Sequence, residues 1–195
     1  MRFAPTIIVL AAGRGSRFKA SGHKLEQPLG GSTVLATTLH HAIETRLPVA
    51  VVTTAALVPQ VADQIALRDI IVVSDAQAAR GMGHSIATGV GERADAPGWL
   101  ILPGDMPLVR PETMAAVAAA LEGHAVAFPQ LRGRRGHPVG FSAELYAELV
   151  TLDGDEGARR LVARYPAFTV EVSDPGVLVD IDTPADLDAV RGPVA

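Results

Sequence analysis

Cations, glycines and carboxylates recur in this chain where phosphate chemistry would need them. The stretch Ile7 to Lys24, IIVLAAGRGSRFKASGHK, opens with four apolar residues and breaks at Ala11, Ala12 and Gly13. Arg14, Arg17, Lys19 and Lys24 then put four cations into eleven residues, with Gly15 and Gly22 between them. A turn of small residues exposes backbone N–H groups to a phosphate, and nearby cations neutralise its charge. Far along the chain stand two carboxylates, Asp105 in LPGDMPLV and Asp182 in VDIDTPADL, each at the end of an apolar run. Such oxygen ligands suit magnesium, which takes one or two carboxylates and keeps several waters. A polyphosphate grip beside a hard cation is what nucleotidyl transfer requires. No covalent intermediate is needed; positioning and charge neutralisation do most of the work.

Two other phosphate loops fit less well. The P-loop pattern G-x-x-x-x-G-K-[ST] has no alignment on Gly13, Gly15 or Gly22. The dinucleotide fingerprint G-x-G-x-x-G finds its first pair in Gly13 and Gly15, but Phe18 takes the third position, where close helix packing wants glycine. The acidic residue expected after the second strand is replaced by Val51, Val52, Thr53 and Thr54.

The elements that must hold these groups follow from hydrophobic pattern. Apolar runs without alternation at Ile7–Leu10, Val49–Thr53, Ile70–Val73 and Trp99–Leu102 predict strands buried on both faces of a parallel sheet. Between them, helical spacing predicts helices from Val34 to Ile43, over Ala56–Leu67 and from His84 or Ser85 onward, with Ser32 or Thr33 capping the first. Pro111 opens a helix to about Leu121. The second half reads as strands at Ala125–Phe128, Pro138–Phe141 and Phe168–Val172, helices at Ser142–Val150 and Ala158–Tyr165, and an apolar segment Val177–Ile181 before a closing helix Ala185–Arg191. Alternating strands and helices predict a doubly wound α/β fold with a Rossmann-like, mostly parallel sheet. Ligands of such sheets bind outside the carboxyl ends of the strands, where the first loop and Asp105 both lie. Asp180 and Asp182 alternate, so an extended segment turns only one toward a cleft, and Asp182 is favoured. Asp182 could equally cap the last helix, and Ser85 its own.

Length and composition narrow the class. The 195 residues suit a single domain, residues 1–195, with a full core. Net charge is −4, so general nucleic-acid binding is not expected. The absence of cysteine excludes disulfides, thiolate metal sites and a cysteine nucleophile. No signal peptide is legible and no run approaches the roughly 20 apolar residues of a membrane span, so a cytoplasmic protein without a membrane partner is expected.

LAAGRGSRF followed by Lys24 resembles the signature loop of the MobA-like nucleotidyltransferases. LPGDMP, DIDTPADL and GMGHS resemble further elements of that family in the right order, and the likeness runs from Ile7 to about Leu187. RRGHPVGF and LDGDEGARRLV resemble elements of one branch, the molybdenum cofactor cytidylyltransferases, and Ala11-Ala12-Gly13 resembles the cytidine-selecting form of the loop. The resemblance implies a nucleotide-diphospho-sugar transferase type of fold. It implies a magnesium-dependent enzyme, manganese being the alternative, that moves CMP from CTP to a molybdopterin-type phosphate. A molybdoenzyme or its chaperone would then receive the product. Leu10, Ala11, Ala12, Gly13, Arg14, Gly15, Lys24, Gly81 and Ser85 would bind nucleotide; Asp105 and Asp182 would hold metal. Lys24, Arg17 and Asp105 would carry catalysis. Arg134, Arg135 and His137 form a basic turn suited to the acceptor phosphate, arginine offering a planar bidentate fork; a solvated hairpin tip is the plain alternative. Phe18-Lys19 departs from the family pattern. GTP, a sugar or polyol phosphate acceptor, or a nucleotide-binding regulatory or carrier module are the rival readings.

Overall fold

The computed structural model describes residues 3–13, 15, 18 and 22–191. An eight-stranded mixed sheet runs through its centre. The strands are β1 (Thr6–Ala11), β2 (Val49–Thr54), β3 (Ile70–Val73), β4 (Gly98–Pro103), β5 (Val126–Leu131), β6 (Arg134–Arg135), β7 (Val139–Ser142) and β8 (Ala167–Glu171). Their spatial order is β8-β5-β7-β4-β1-β2-β3, with β6 added beside β5. β4, β1, β2 and β3 are parallel neighbours, as are β8 and β5. β7 runs antiparallel between β4 and β5.

Burial explains why the apolar runs do not alternate. Ile7, Val9 and Ala11 face one layer, built by α1 (Val34–Glu44) and α3 (Pro111–Ala120) through Leu35, Leu39, Met114 and Val117. Ile8 faces the other, where Ile86 and Val90 of α2 (Met82–Gly91) meet Val52, Trp99 and Ile101. Gly89 lets α2 lie on the sheet, since a Cβ there would come within 2.6 Å of Ile8 Cγ2. Two shorter helices follow, α4 (Arg159–Arg164) and α5 (Pro184–Arg191). Thr33, not Ser32, caps α1 by accepting the Ala36 N–H at 3.2 Å. Asp174 holds the start of α3, accepting from the Arg110 N–H at 2.9 Å and the Thr113 hydroxyl at 2.8 Å.

Two expectations change. The helix over Ala56–Leu67 shrinks to a 3-10 turn and one α-turn, Val58–Val61, because only Leu57 and Val61 are fully buried, Ile65 packs against the core only in part and Ala62 is exposed. The helix from Ser142 to Val150 is likewise a 3-10 turn followed by Tyr146–Leu149. The apolar segment before α5 forms a 3-10 turn over Pro175–Leu178 and then crosses the strand ends without joining the sheet.

Candidate active site

Register places the first loop beside Asp105. Leu10 pairs with Pro103, so β1 and β4 end together. The Gly104 N–H donates to Leu10 O at 2.8 Å, and a Cβ on Gly104 would stand 2.9 Å from that same oxygen. Glycine therefore lets the strand after Pro103 stay against β1 and sets Asp105 at the mouth of the loop. The distant segment is stitched to the same spot, for the Ile181 N–H donates to Asp105 O at 3.0 Å. Asp182 follows directly. The cap of α5 is not Asp182 but Thr183, whose hydroxyl accepts the Asp186 N–H at 3.2 Å while the Asp186 carboxylate takes the Thr183 N–H at 2.7 Å. That exchange satisfies the helix end locally and leaves the Asp182 side chain to reach across the cleft.

Lys24 closes the constellation. It begins a 3-10 turn capped by His23, whose Nδ1 accepts the Leu25 N–H at 3.2 Å. With Nδ1 accepting, Nε2 carries the proton and donates to Gly13 O at 2.9 Å. His23 thus ties the turn that bears Lys24 to the loop after β1, a role that sequence pattern did not reveal. The Lys24 ammonium lies 2.5 Å from Asp105 Oδ2 and 2.9 Å from Asp182 Oδ1. All three side chains are mostly buried, with 11%, 16% and 18% of their surface exposed. Burial works against the charged lysine, but the two carboxylates outweigh it and hold its pKa above the usual value. Asp180 is exposed, and its carboxyl is pushed up by burial of its surroundings and by the nearby Asp182 and Asp105 charges.

A cleft of about 340 Å³ opens over this triad. Leu10, Ala12, Gly13 and Gly15 line it from the β1 side, and Gly81 and Ser85 from the start of α2. Ala11 points into the core instead, fully buried. Ser85 sits inside the first turn of α2 rather than capping it; the cap position belongs to Gly81. Arg14, Arg17 and Lys19 lie outside the described residues. The basic turn is a hairpin tip, with Arg132 and Gly133 both at positive φ between β5 and β6. Arg134 and Arg135 are exposed there, and the Arg135 guanidinium lies 4.3 Å from the centre of the Phe128 ring. Neither lines the cleft around Lys24. His137 returns toward it: its N–H donates to Val177 O at 3.0 Å, and Asp105 and Arg159 both act on its ring. Burial, more than Arg159, holds that imidazole below its usual pKa.

Among the described residues no three potential ligands gather into a metal cluster. The two carboxylates still fit a hard cation. Asp105 Oδ1 is buried with no hydrogen-bond partner, an arrangement costly for an anionic oxygen unless a cation meets it.

Residues 7–169 match the model of the MobA-like NTP transferase domain. The chain belongs to the MobA-like nucleotidyltransferases. The purine catabolism protein PucB of Bacillus subtilis is 34% identical over 199 residues, covering 94% of each chain. Among solved structures, Rv0371c of Mycobacterium tuberculosis superposes with a TM-score of 0.82 at 28% identity, over 98% of this chain and 100% of that one. That protein is also known in complex with manganese, matched at 27% identity with a TM-score of 0.80. Mth528, a nucleotidyl transferase of Methanothermobacter, matches at 26% identity and a TM-score of 0.82 over 96% of both chains. The protein is therefore a nucleotidyltransferase, using a nucleoside triphosphate and an acceptor, on the α/β fold of the nucleotide-diphospho-sugar transferases. No helix among the described residues is long and apolar enough to cross a membrane.

Proposed function

We propose that this MobA-like enzyme transfers CMP from CTP to the terminal phosphate of a molybdopterin-type acceptor, with magnesium or manganese. The observation that carries this reading is the Lys24 ammonium held between Asp105 and Asp182 at the mouth of the Gly13–Gly15 turn. An acceptor phosphate oxygen attacks the α-phosphorus of CTP. The bond from that phosphorus to the bridging oxygen of the β-phosphate breaks as the new one forms, and pyrophosphate leaves with the electron pair.

The chain's own groups divide the work. Backbone N–H groups from Ala12 to Gly15 hold the β- and γ-phosphates, and Arg17 adds charge. Lys24 moves from the carboxylates to the α-phosphate and stabilises the charge that builds there. Asp105 and Asp182 hold the divalent cation, which supplies charge neutralisation at the phosphates when bound. His137, on whose ring Asp105 acts, orients the acceptor phosphate, while Arg134 and Arg135, exposed on the hairpin tip outside the cleft around Lys24, fit the solvated-tip alternative. The choice of cytidine rests on Ala11-Ala12-Gly13, and that of the acceptor on RRGHPVGF and LDGDEGARRLV, as resemblances. The manganese complex of Rv0371c supports a divalent ion.

Pyrophosphate release tests the assignment. Purified protein is offered each of the four ribonucleoside triphosphates with magnesium or manganese and, in turn, a molybdopterin-type phosphate and several sugar phosphates. Turnover confined to CTP and the pterin phosphate is the expected result. Preference for GTP, or for a sugar phosphate, would overturn the base or the acceptor respectively.

A further inference from the structure

The segment LDGDEGARR does more than turn the chain. Its loop, Asp153 to Gly157, lies across the start of α2. The Gly83 N–H donates to Gly154 O at 2.8 Å and the Gly154 N–H to Arg80 O at 2.9 Å. Arg80 grips the Asp153 carboxylate with Nε at 3.3 Å and Nη2 at 3.1 Å. Neither Gly81, which caps α2, nor Gly83 within it could carry a side chain there. A Cβ on Gly81 would lie 2.5 Å from the Gly154 carbonyl carbon, and one on Gly83 would lie 2.7 Å from Asp153 O. Gly81 also needs its φ of +99°. Two glycines and three polar contacts thus hold a loop from the second half of the chain against the cleft built by the first.

The side chain this delivers is Asp155. It lines the same cleft as Lys24 and Ser85, is exposed, and makes no ion pair or hydrogen bond with any described residue. Its Oδ1 lies 2.6 Å from where a Gly81 Cβ would stand. Asp105 and Asp182 share the Lys24 cation, whereas Asp155 has no described cation paired with it and joins no three-ligand cluster, so its charge would repel a phosphate and it stands apart from the triphosphate end. That end is defined independently by Gly13, Gly15 and Lys24. Ala78, Ala79, Gly81 and Met82, which line the cleft on the Asp155 side, offer it no cation among the described residues, because Arg80 beside them is taken by Asp153, so the carboxylate there is left to accept hydrogen bonds from neutral donors.

We infer that Asp155 is a specificity residue that accepts hydrogen bonds from the nucleoside part of the substrate. Its partner is a donor of the nucleoside, either the exocyclic amino group of the base or a ribose hydroxyl. The inference rests on the functional reading above only in placing a nucleoside triphosphate in this cleft.

Equilibrium binding separates the possibilities. CTP, UTP, 2′-deoxy-CTP and pyrophosphate are titrated in manganese against the wild type, Asp155→Asn and Asp155→Ala. A carboxylate-assisted hydrogen bond is worth roughly tenfold or more in affinity. If the amino group is the partner, a wild-type preference for CTP over UTP of that order collapses in both variants. If it is the ribose, the preference for CTP over 2′-deoxy-CTP collapses. Pyrophosphate affinity stays within about twofold in either case. Preferences unchanged in both variants, or pyrophosphate and nucleotide weakening together, would overturn the assignment of Asp155. A wild type that binds pyrophosphate but no nucleotide would overturn the functional reading beneath it.

Discussion

Replacing Lys24 by alanine removes the one cation that the described residues place between Asp105 and Asp182. Two mostly buried carboxylates then face each other without it. Removing one partner of a fully buried ion pair costs about 3–5 kcal/mol. Here the carboxylates keep 16% and 18% of their surface in water, so solvation and small movements recover part of that. A loss of about 2–3 kcal/mol is the reasonable figure after that discount. For a chain of this length each kcal/mol moves the melting temperature by roughly 2–4 °C, so Lys24→Ala should melt about 5–10 °C below the wild type without metal. Manganese reverses the order of response. In the wild type the ion must displace the lysine from the carboxylates, whereas in the variant it meets them directly. At one hundred times its dissociation constant, a ligand of the native state adds about 2.7 kcal/mol, enough to restore most of the variant's loss. Scanning calorimetry of both proteins across a manganese titration reads this directly. A variant that melts with the wild type and responds identically to manganese would refute the claim that lysine and metal compete for one pair of carboxylates.

Asp174→Ala should be among the most destabilising single changes outside the cleft, costing about 3 kcal/mol by denaturant unfolding, because three donors, two of them in buried hydrogen bonds, lose one acceptor. Gly81→Ala should drive the Asp153–Gly157 loop off α2; nucleotide affinity should fall while far-ultraviolet circular dichroism stays unchanged, and intact affinity would contradict the packing described. His137 gives a pH signature. Its imidazole titrates below the ordinary 6.5 in the folded chain, so the unfolded chain binds the proton first as pH falls. The stability that His137 contributes is therefore present above about pH 6.5 and is lost on acidification toward the depressed folded value. In His137→Gln, urea unfolding compared at about pH 7.5 and 5.5 should show a shallower decline than the wild type.

Local pattern carried much of this protein. The runs at Ile7, Val49 and Trp99 read as doubly buried strands because a parallel sheet between helices leaves neither face in water, and β1, β2 and β4 are buried in that way; the run at Ile70 reads the same way, but β3 is the edge strand and turns Val72 to solvent. The glycine turn after β1 and the carboxylates at strand ends were legible because close backbone approach and charge are properties of single residues. Pattern failed where packing with distant segments decided. Ala56–Leu67 has helical spacing, yet the core buries only Leu57 and Val61 of it fully. Asp182 looked equally fit to cap a helix until Thr183 and Asp186 took that task between themselves. His23 gave no signal, since its meaning is a bond to Gly13 O across the loop. Asp155 gave no signal of its own, because nothing local shows that its loop lies on Gly81 and Gly83. Residue type and spacing thus determined which groups could grip a triphosphate and which strands would carry them. Only the tertiary structure decided that Lys24, Asp105 and Asp182, 158 positions apart at the extremes, share one point. Strand register and the Ile181–Asp105 backbone bond are long-range facts that no local window of sequence contains.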